Sequence, residues 1–281
     1  MQPADDNNKT IALDVSDAEQ VLSVLKAVRP QIIFHLAALP AGDRSAARLP
    51  EQVRVTFGGT VNLAQAMLQL EQPPLLVHVG SSEEYGGGEI PFKEDQVLTP
   101  ISPYSAAKAS CSQFLIAAHQ AFNLPVIITR PSVVYGPGQA SGMVIPYLFN
   151  SYLSGKTPAL SPGEQTRDFV YIDDCIDALA TLGLRPDLAG HIFNLGSSTE
   201  SKLKDIAEKI AALCEYAGAT GIGASDYRKA EVMRHKECCL KARDYFGWEA
   251  KVDIESGLSK TFQWWQAEKA QAKVSSQANV Q

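Results

Sequence analysis

Two hydrophobic periods alternate along the first half of the chain. Residues 10–15 read as a short strand ending in an acidic turn at Asp14 and Asp17. Asp17 is suited to cap a helix in which Val21, Leu22, Leu25 and Val28 recur at helical spacing until Pro30 closes it. Residues 31–36 are apolar without alternation, the pattern of a strand covered on both faces. The unit then repeats. A helix over 51–70 leads through Pro73-Pro74 into a strand at 75–79, and a helix over 103–122 leads through Asn123-Leu124-Pro125 into a strand at 126–129. Buried strands alternating with amphipathic helices predict an α/β chain with a doubly wound parallel sheet. Such sheets take ligands beyond the carboxyl ends of their strands, so the residues just after each strand are where chemistry is expected.

Past Arg130 the rhythm changes. Gly136-Pro137-Gly138 and residues 158–163 carry turn chemistry on either side of a helix at 144–154. Residues 169–172 and 192–195 read as short strands, 202–216 as an amphipathic helix, and 266–281 as a polar, frayed tail. The pattern predicts a Rossmann-like domain over 1–138, partly rejoined by 168–197, and a smaller α/β substrate-binding lobe over 139–265. Phe262, Trp264 and Trp265 are expected to be packing residues at the end of a helix.

Composition narrows the classes. Of 281 residues, 45% are apolar and 20% charged, ordinary globular usage, and the net charge of -6 argues against binding a nucleic-acid backbone. No apolar run approaches the roughly 18 residues of a membrane span, and the polar, acidic stretch 1–9 lacks the layout of a secretory signal. Five cysteines without CxxC spacing argue against a disulfide framework or a zinc site, so a reducing cytoplasm is the expected location. His35 and His78 lie in strands and are expected to pack in the core instead of binding metal.

Two segments carry candidate chemistry. The strand at 75–79 is followed by Gly80-Ser81-Ser82-Glu83-Glu84-Tyr85-Gly86, which puts two hydroxyls and an acid at a strand's carboxyl end. Tyr104 and Lys108 stand at i and i+4 near the start of the next helix, so they share a face. An ammonium beside a phenol lowers its pKa from about 10, and a phenol so tuned can exchange a proton with a sugar or alcohol hydroxyl.

In this order, and with His35-Leu36-Ala37-Ala38, Ser102-Pro103-Tyr104-Ser105-Ala106-Ala107-Lys108, Tyr135-Gly136-Pro137-Gly138 and Arg167-Asp168-Phe169-Val170-Tyr171-Ile172-Asp173-Asp174, the chain resembles the extended short-chain dehydrogenase/reductases, specifically their NAD(P)-dependent nucleotide-sugar epimerase/dehydratase branch, over residues 10–265. The resemblance implies NAD or NADP as cofactor and a nucleoside-diphosphate sugar as substrate. It assigns Asp14 and Val15 to the adenine ring, Leu36, Ala37 and Ala38 to the strand end under the cofactor ribose, and Pro131, Val133 and Val134 to the nicotinamide. Ser81 would hold the hydroxyl being oxidised and Tyr104 would exchange its proton. Lys108 would lower the tyrosine pKa and bind the nicotinamide ribose. Ser82, Arg167, Arg228 and Glu231 fall at substrate-binding positions, the arginines suiting a diphosphate. Glu83 occupies the place of the C5 base of sugar 4,6-dehydratases; the run around it is closer still to 4-keto-6-deoxy-sugar reductases, and it lowers the simple 4-epimerase reading. By analogy the chain is expected to form a homodimer through the helices at 51–70 and 103–122.

The family's GxxGxxG turn, which meets the cofactor pyrophosphate, has no counterpart ahead of Asp14. On that ground the doubly wound sheet is expected to be truncated, with weaker cofactor affinity and open strand edges. Gly218-Ala219-Thr220-Gly221-Ile222-Gly223 follows a helix instead of a strand and reads as a loop. The competing expectation is a binding or assembly module that has lost the pyrophosphate site.

Overall fold

The structure, a computed structural model, describes residues 9–40 and 46–278. Helix α1 (Ala18–Val28) starts where the Asp17 carboxylate accepts the N–H groups of Glu19 and Gln20, and it ends at Arg29 in the left-handed region. Strand β1 (Ile32–His35) follows. A short helix α2 (Leu49–Glu51) runs through a π-helical stretch (Gln52–Phe57) into α3 (Gly58–Leu68), and β2 (Leu75–Val79) comes next. Helix α4 (Pro103–Phe122) is capped by a reciprocal Ser102–Ser105 pair, opens on proline, and ends at Asn123 with φ 55°. Strand β3 (Val126–Pro131) continues through Ser132 into β4 (Val133–Tyr135). Then come α5 (Val144–Leu153), β5 (Thr166–Tyr171), α6 (Ile172–Gly183), β6 (Ile192–Leu195), β7 (Glu200–Lys202), α7 (Leu203–Leu213), α8 (Leu240–Phe246) and α9 (Ile254–Ala278).

Four strands form a wholly parallel sheet in the order β1-β2-β3-β6, and β4-β5-β7 form a second, mixed sheet. On one face of the large sheet, Val21 and Leu25 of α1, Leu63 and Met67 of α3, and Leu115 of α4 pack against Leu76, Val126 and Ile128. On the other, Cys175, Ala178 and Leu182 of α6 pack with Leu75, Val77, Ile127, Phe193 and Trp248. A third core joins Tyr135, Phe169 and Tyr171 to α5, α7 and Leu258 of α9. Val170 faces the second core while its neighbours Phe169 and Tyr171 face the third, so β5 ties the two sheets together. Asp174 of α6 fastens the C-terminal segment: its carboxylate accepts the N–H groups of Lys251 and Val252, and its carbonyl accepts the Trp248 indole N–H at 2.9 Å.

Three expectations are corrected. Residues 10–15 are irregular: Ile11 and Leu13 are exposed, and no strand lies beside them among the described residues. Strand β1 is covered incompletely: among the described residues it pairs with β2 alone, and Phe34 is 44% exposed. The polar stretch from 266, expected to fray, continues α9 to Ala278. Among the described residues no helix is long and apolar enough to cross a membrane.

His35 and His78 are register partners in β1 and β2, with ring centroids 5.2 Å apart. Burial and the Lys108 ammonium push His35 down to about 4 and His78 well below its ordinary value; burial followed by Arg167 pushes His235 to about 3. Each is neutral when folded and protonates near 6.5 when unfolded. Their contribution is therefore complete above about pH 6.5 and fades as the pH falls towards 4, at up to about 1.4 kcal/mol per pH unit for each ring. Urea midpoints measured between pH 7.5 and 4.5 should fall steeply below pH 6.5. His78→Leu, which removes a ring whose nitrogens have no hydrogen-bond partner, should flatten that fall; an unchanged slope contradicts the assignment.

Candidate active site

Three strand ends converge. At the end of β2 the Gly80 N–H donates to Thr129 O at 2.7 Å, and the chain bends into a tight 3₁₀ turn (Ser82–Tyr85) capped by Ser81. Gly80 cannot be replaced there: a Cβ would stand 2.4 Å from a Glu84 carboxylate oxygen and 2.9 Å from the Thr129 carbonyl. Helix α4 starts opposite, with Tyr104 in its first turn and Lys108 one turn on. The Lys108 ammonium reaches back across the sheet and donates to Val79 O at 2.6 Å.

A cavity of about 380 Å³ lies between these elements. Ser81, Ser82 and Glu83 from the serine turn and Tyr104 and Lys108 from α4 all line it. Leu36 and Ala38 beyond β1, and Pro131, Val133 and Val134 at the passage from β3 to β4, give it an apolar wall, and Arg167 and Glu231 stand at its lobe side. Other expected positions lie elsewhere. Ala37 is exposed and does not line the cavity. Asp14 is exposed, and its carboxylate accepts from the Ser16 N–H and hydroxyl. Val15 packs beneath Gly59 and its carbonyl accepts from Asn62. Arg228 is exposed and outside the lining. The structure adds Ile101, Met143, Val232 and His235 to the wall, residues with no motif around them to mark them in the sequence.

The Ser81 hydroxyl accepts the Glu83 N–H at 3.2 Å and faces the Tyr104 phenol, whose ionised form it favours. Burial outweighs that effect, and the Glu83 charge adds to burial, so the phenol is pushed up to about 12. In this arrangement the phenol is raised, where the Lys108 spacing led to the expectation that it would be lowered. The ammonium is turned to the Val79 carbonyl, and burial lowers its own pKa. Arg167 is likewise engaged: it pairs with Glu231 and donates to Thr166 O at 2.7 Å and Val232 O at 2.8 Å.

A parallel sheet carrying a serine turn, a tyrosine and a lysine around one cavity at its strand ends is an arrangement of the Rossmann class. The model of the NAD dependent epimerase/dehydratase family matches residues 2–196, and the chain belongs to that family. It is 27% identical over 275 residues to a dTDP-glucose 4,6-dehydratase of Haemophilus influenzae, covering 90% of this chain and 81% of that protein. It is 30% identical over 268 residues to a UDP-glucose 4-epimerase of Mycolicibacterium smegmatis, covering 91% and 82%. Among solved structures, an epimerase of Methanothermobacter thermautotrophicus superposes with a TM-score of 0.88 at 26% identity, covering 97% of this chain and 82% of the other. A dTDP-glucose 4,6-dehydratase of Bacillus anthracis in complex with NAD gives 0.79 at 27%, covering 92% and 79%.

If Glu83 raises the Tyr104 pKa, Glu83→Gln should move the Tyr104 ionisation to lower pH. The tyrosinate absorbance lost on adding Tyr104→Phe, titrated in each background, reads that midpoint directly; an equal or higher midpoint in Glu83→Gln refutes the coupling.

Proposed function

We propose that this chain is an NAD-dependent nucleotide-sugar enzyme working at the sugar's C4 carbon, of the 4,6-dehydratase, epimerase or 4-ketoreductase type. The observation that carries the reading is the convergence of Ser81, Glu83, Tyr104 and Lys108 on one cavity at the strand ends. The relatives' substrates, dTDP-glucose and UDP-glucose, supply the substrate class.

The cavity suits the nicotinamide end of a dinucleotide. Leu36, Ala38, Pro131, Val133 and Val134 offer an apolar wall, and Lys108 offers an ammonium to a ribose hydroxyl beside it. NAD, when bound, supplies the hydride acceptor. The chain's own residues do the remaining work. Ser81 holds the C4 hydroxyl by hydrogen bonding, and Tyr104 takes its proton as the carbon is oxidised, or returns it when the reaction runs in reverse. A phenol held near 12 is a poor base at neutral pH, so the Lys108 ammonium must turn from Val79 towards Tyr104 for proton transfer. Once C4 is a ketone the C5 proton is acidified; in the dehydratase reading Glu83 removes it as the C6 hydroxyl leaves as water. Arg167, released from Glu231, and the exposed Arg228 bind the diphosphate.

The alternative of a silent binding module predicts no such convergence. Incubation with NAD and either dTDP-glucose or UDP-glucose, followed by NMR and mass analysis of the sugar, decides between them. Tyr104→Phe should lower kcat by about 100-fold or more with little change in KM. Glu83→Gln should suppress loss of water from the sugar while leaving C4 oxidation measurable. No product together with no saturable NAD binding would sink the proposal.

A further inference from the structure

Behind the serine turn lies a polar cluster sealed from solvent. The Arg130 side chain is 1% exposed and that of Glu84 0%. The Arg130 Nε donates to Glu84 Oε2 at 2.8 Å, and the other Glu84 oxygen accepts the Ser81 N–H at 2.9 Å. The guanidinium lies 4.8 Å from the centre of the Tyr85 ring and donates through Nη1 to the Tyr85 hydroxyl at 2.9 Å; that hydroxyl donates in turn to Asn194 Oδ1 at 2.7 Å. Arg130 of β3 and Asn194 of β6 are register partners, so two adjacent strands of the rigid sheet hold the turn from below.

We propose that Glu84 is a positioning residue that acts through Ser81. One carboxylate is bonded at once to a buried guanidinium and to the Ser81 backbone. It fixes the conformation of the capping residue, φ -165° and ψ 143°, from which the Ser81 hydroxyl faces Tyr104. The glycine at position 80 is the counterpart of this arrangement, because any side chain there would displace the Glu84 carboxylate. The effect falls mainly on the step in which the Ser81 hydroxyl is oriented for proton transfer. The inference rests on the functional reading above.

The test compares Glu84→Met, which fills the same space without an acceptor, with Glu84→Gln, which keeps an acceptor for the Ser81 N–H. With UDP-glucose or dTDP-glucose and NAD, Glu84→Met should lower kcat about tenfold or more with KM within about twofold, and Glu84→Gln should restore it to within about threefold of the wild type. In a Ser81→Ala background Glu84→Met should cost less than about twofold further, since the group it positions is gone. An equal cost in both backgrounds, or a rise in KM at unchanged kcat, overturns the proposal. If Glu84→Met does not fold, Glu84→Met with Arg130→Met removes both charges together and is read in the same way. A second readout needs no turnover: the Ser81 amide and ¹³Cβ resonances should move in the methionine variant and return in the glutamine variant. A wild-type chain that turns over neither sugar and shows no saturable NAD binding defeats the functional reading, whereas Ser81 resonances unmoved by Glu84→Met defeat this one.

Discussion

A guanidinium cannot be left without a partner inside a sheet. Arg130 stands in β3 among Val126, Ile127 and Ile128, all fully buried, and its charge is tolerable only because Glu84 meets it from the loop after β2. Breaking such a pair from one side typically costs about 3–5 kcal/mol, because the surviving charge stays buried. The shape of the serine turn follows from that demand. Glu84 must point inward, Gly80 must be bare to admit it, and Ser81 and Glu83 are left on the cavity side of the same short turn.

The cavity is a product of two sheets. The chain leaves the large sheet at Pro131, and after the single residue Ser132, whose N–H donates to Leu195 O at 2.9 Å, it enters the small one at Val133. The apolar wall formed by Pro131, Val133 and Val134 therefore spans the join. Tyr104 and Lys108 come from a helix packed on the large sheet, and Arg167 comes from the small one. Val170 and its neighbours on β5 give the two cores a shared strand, which holds the α4 and lobe sides of the cavity together.

Much of the architecture was legible in the sequence because burial on both faces writes an unbroken apolar run. The strands at 75–79 and 192–195 and the helix at 103–122 coincide with β2, β6 and α4, whose caps and prolines are local signals. Strands β4 and β7 were missed because each is three residues long and is defined by its partner in β5. Residues 10–15 carry a strand's pattern, but among the described residues no strand lies beside them, and pairing, not propensity, decides that state. Ser81, Glu83, Tyr104 and Lys108 could be read because their spacing is local. Lys108's turn towards Val79 could not, since a long side chain chooses its acceptor in three dimensions. Arg130 did leave a trace: a lone arginine in an apolar strand requires a buried acid somewhere, although nothing in the sequence says that it is Glu84.

Arg167 already has a carboxylate of its own. Any anionic ligand approaching that guanidinium competes with Glu231, and the arginine is further anchored to the Thr166 and Val232 carbonyls. A small singly charged ion offers little that Glu231 does not already provide, whereas a multiply charged group can bring a second contact to offset the exchange. An anion reaching Arg167 must therefore displace a carboxylate that the fold already supplies.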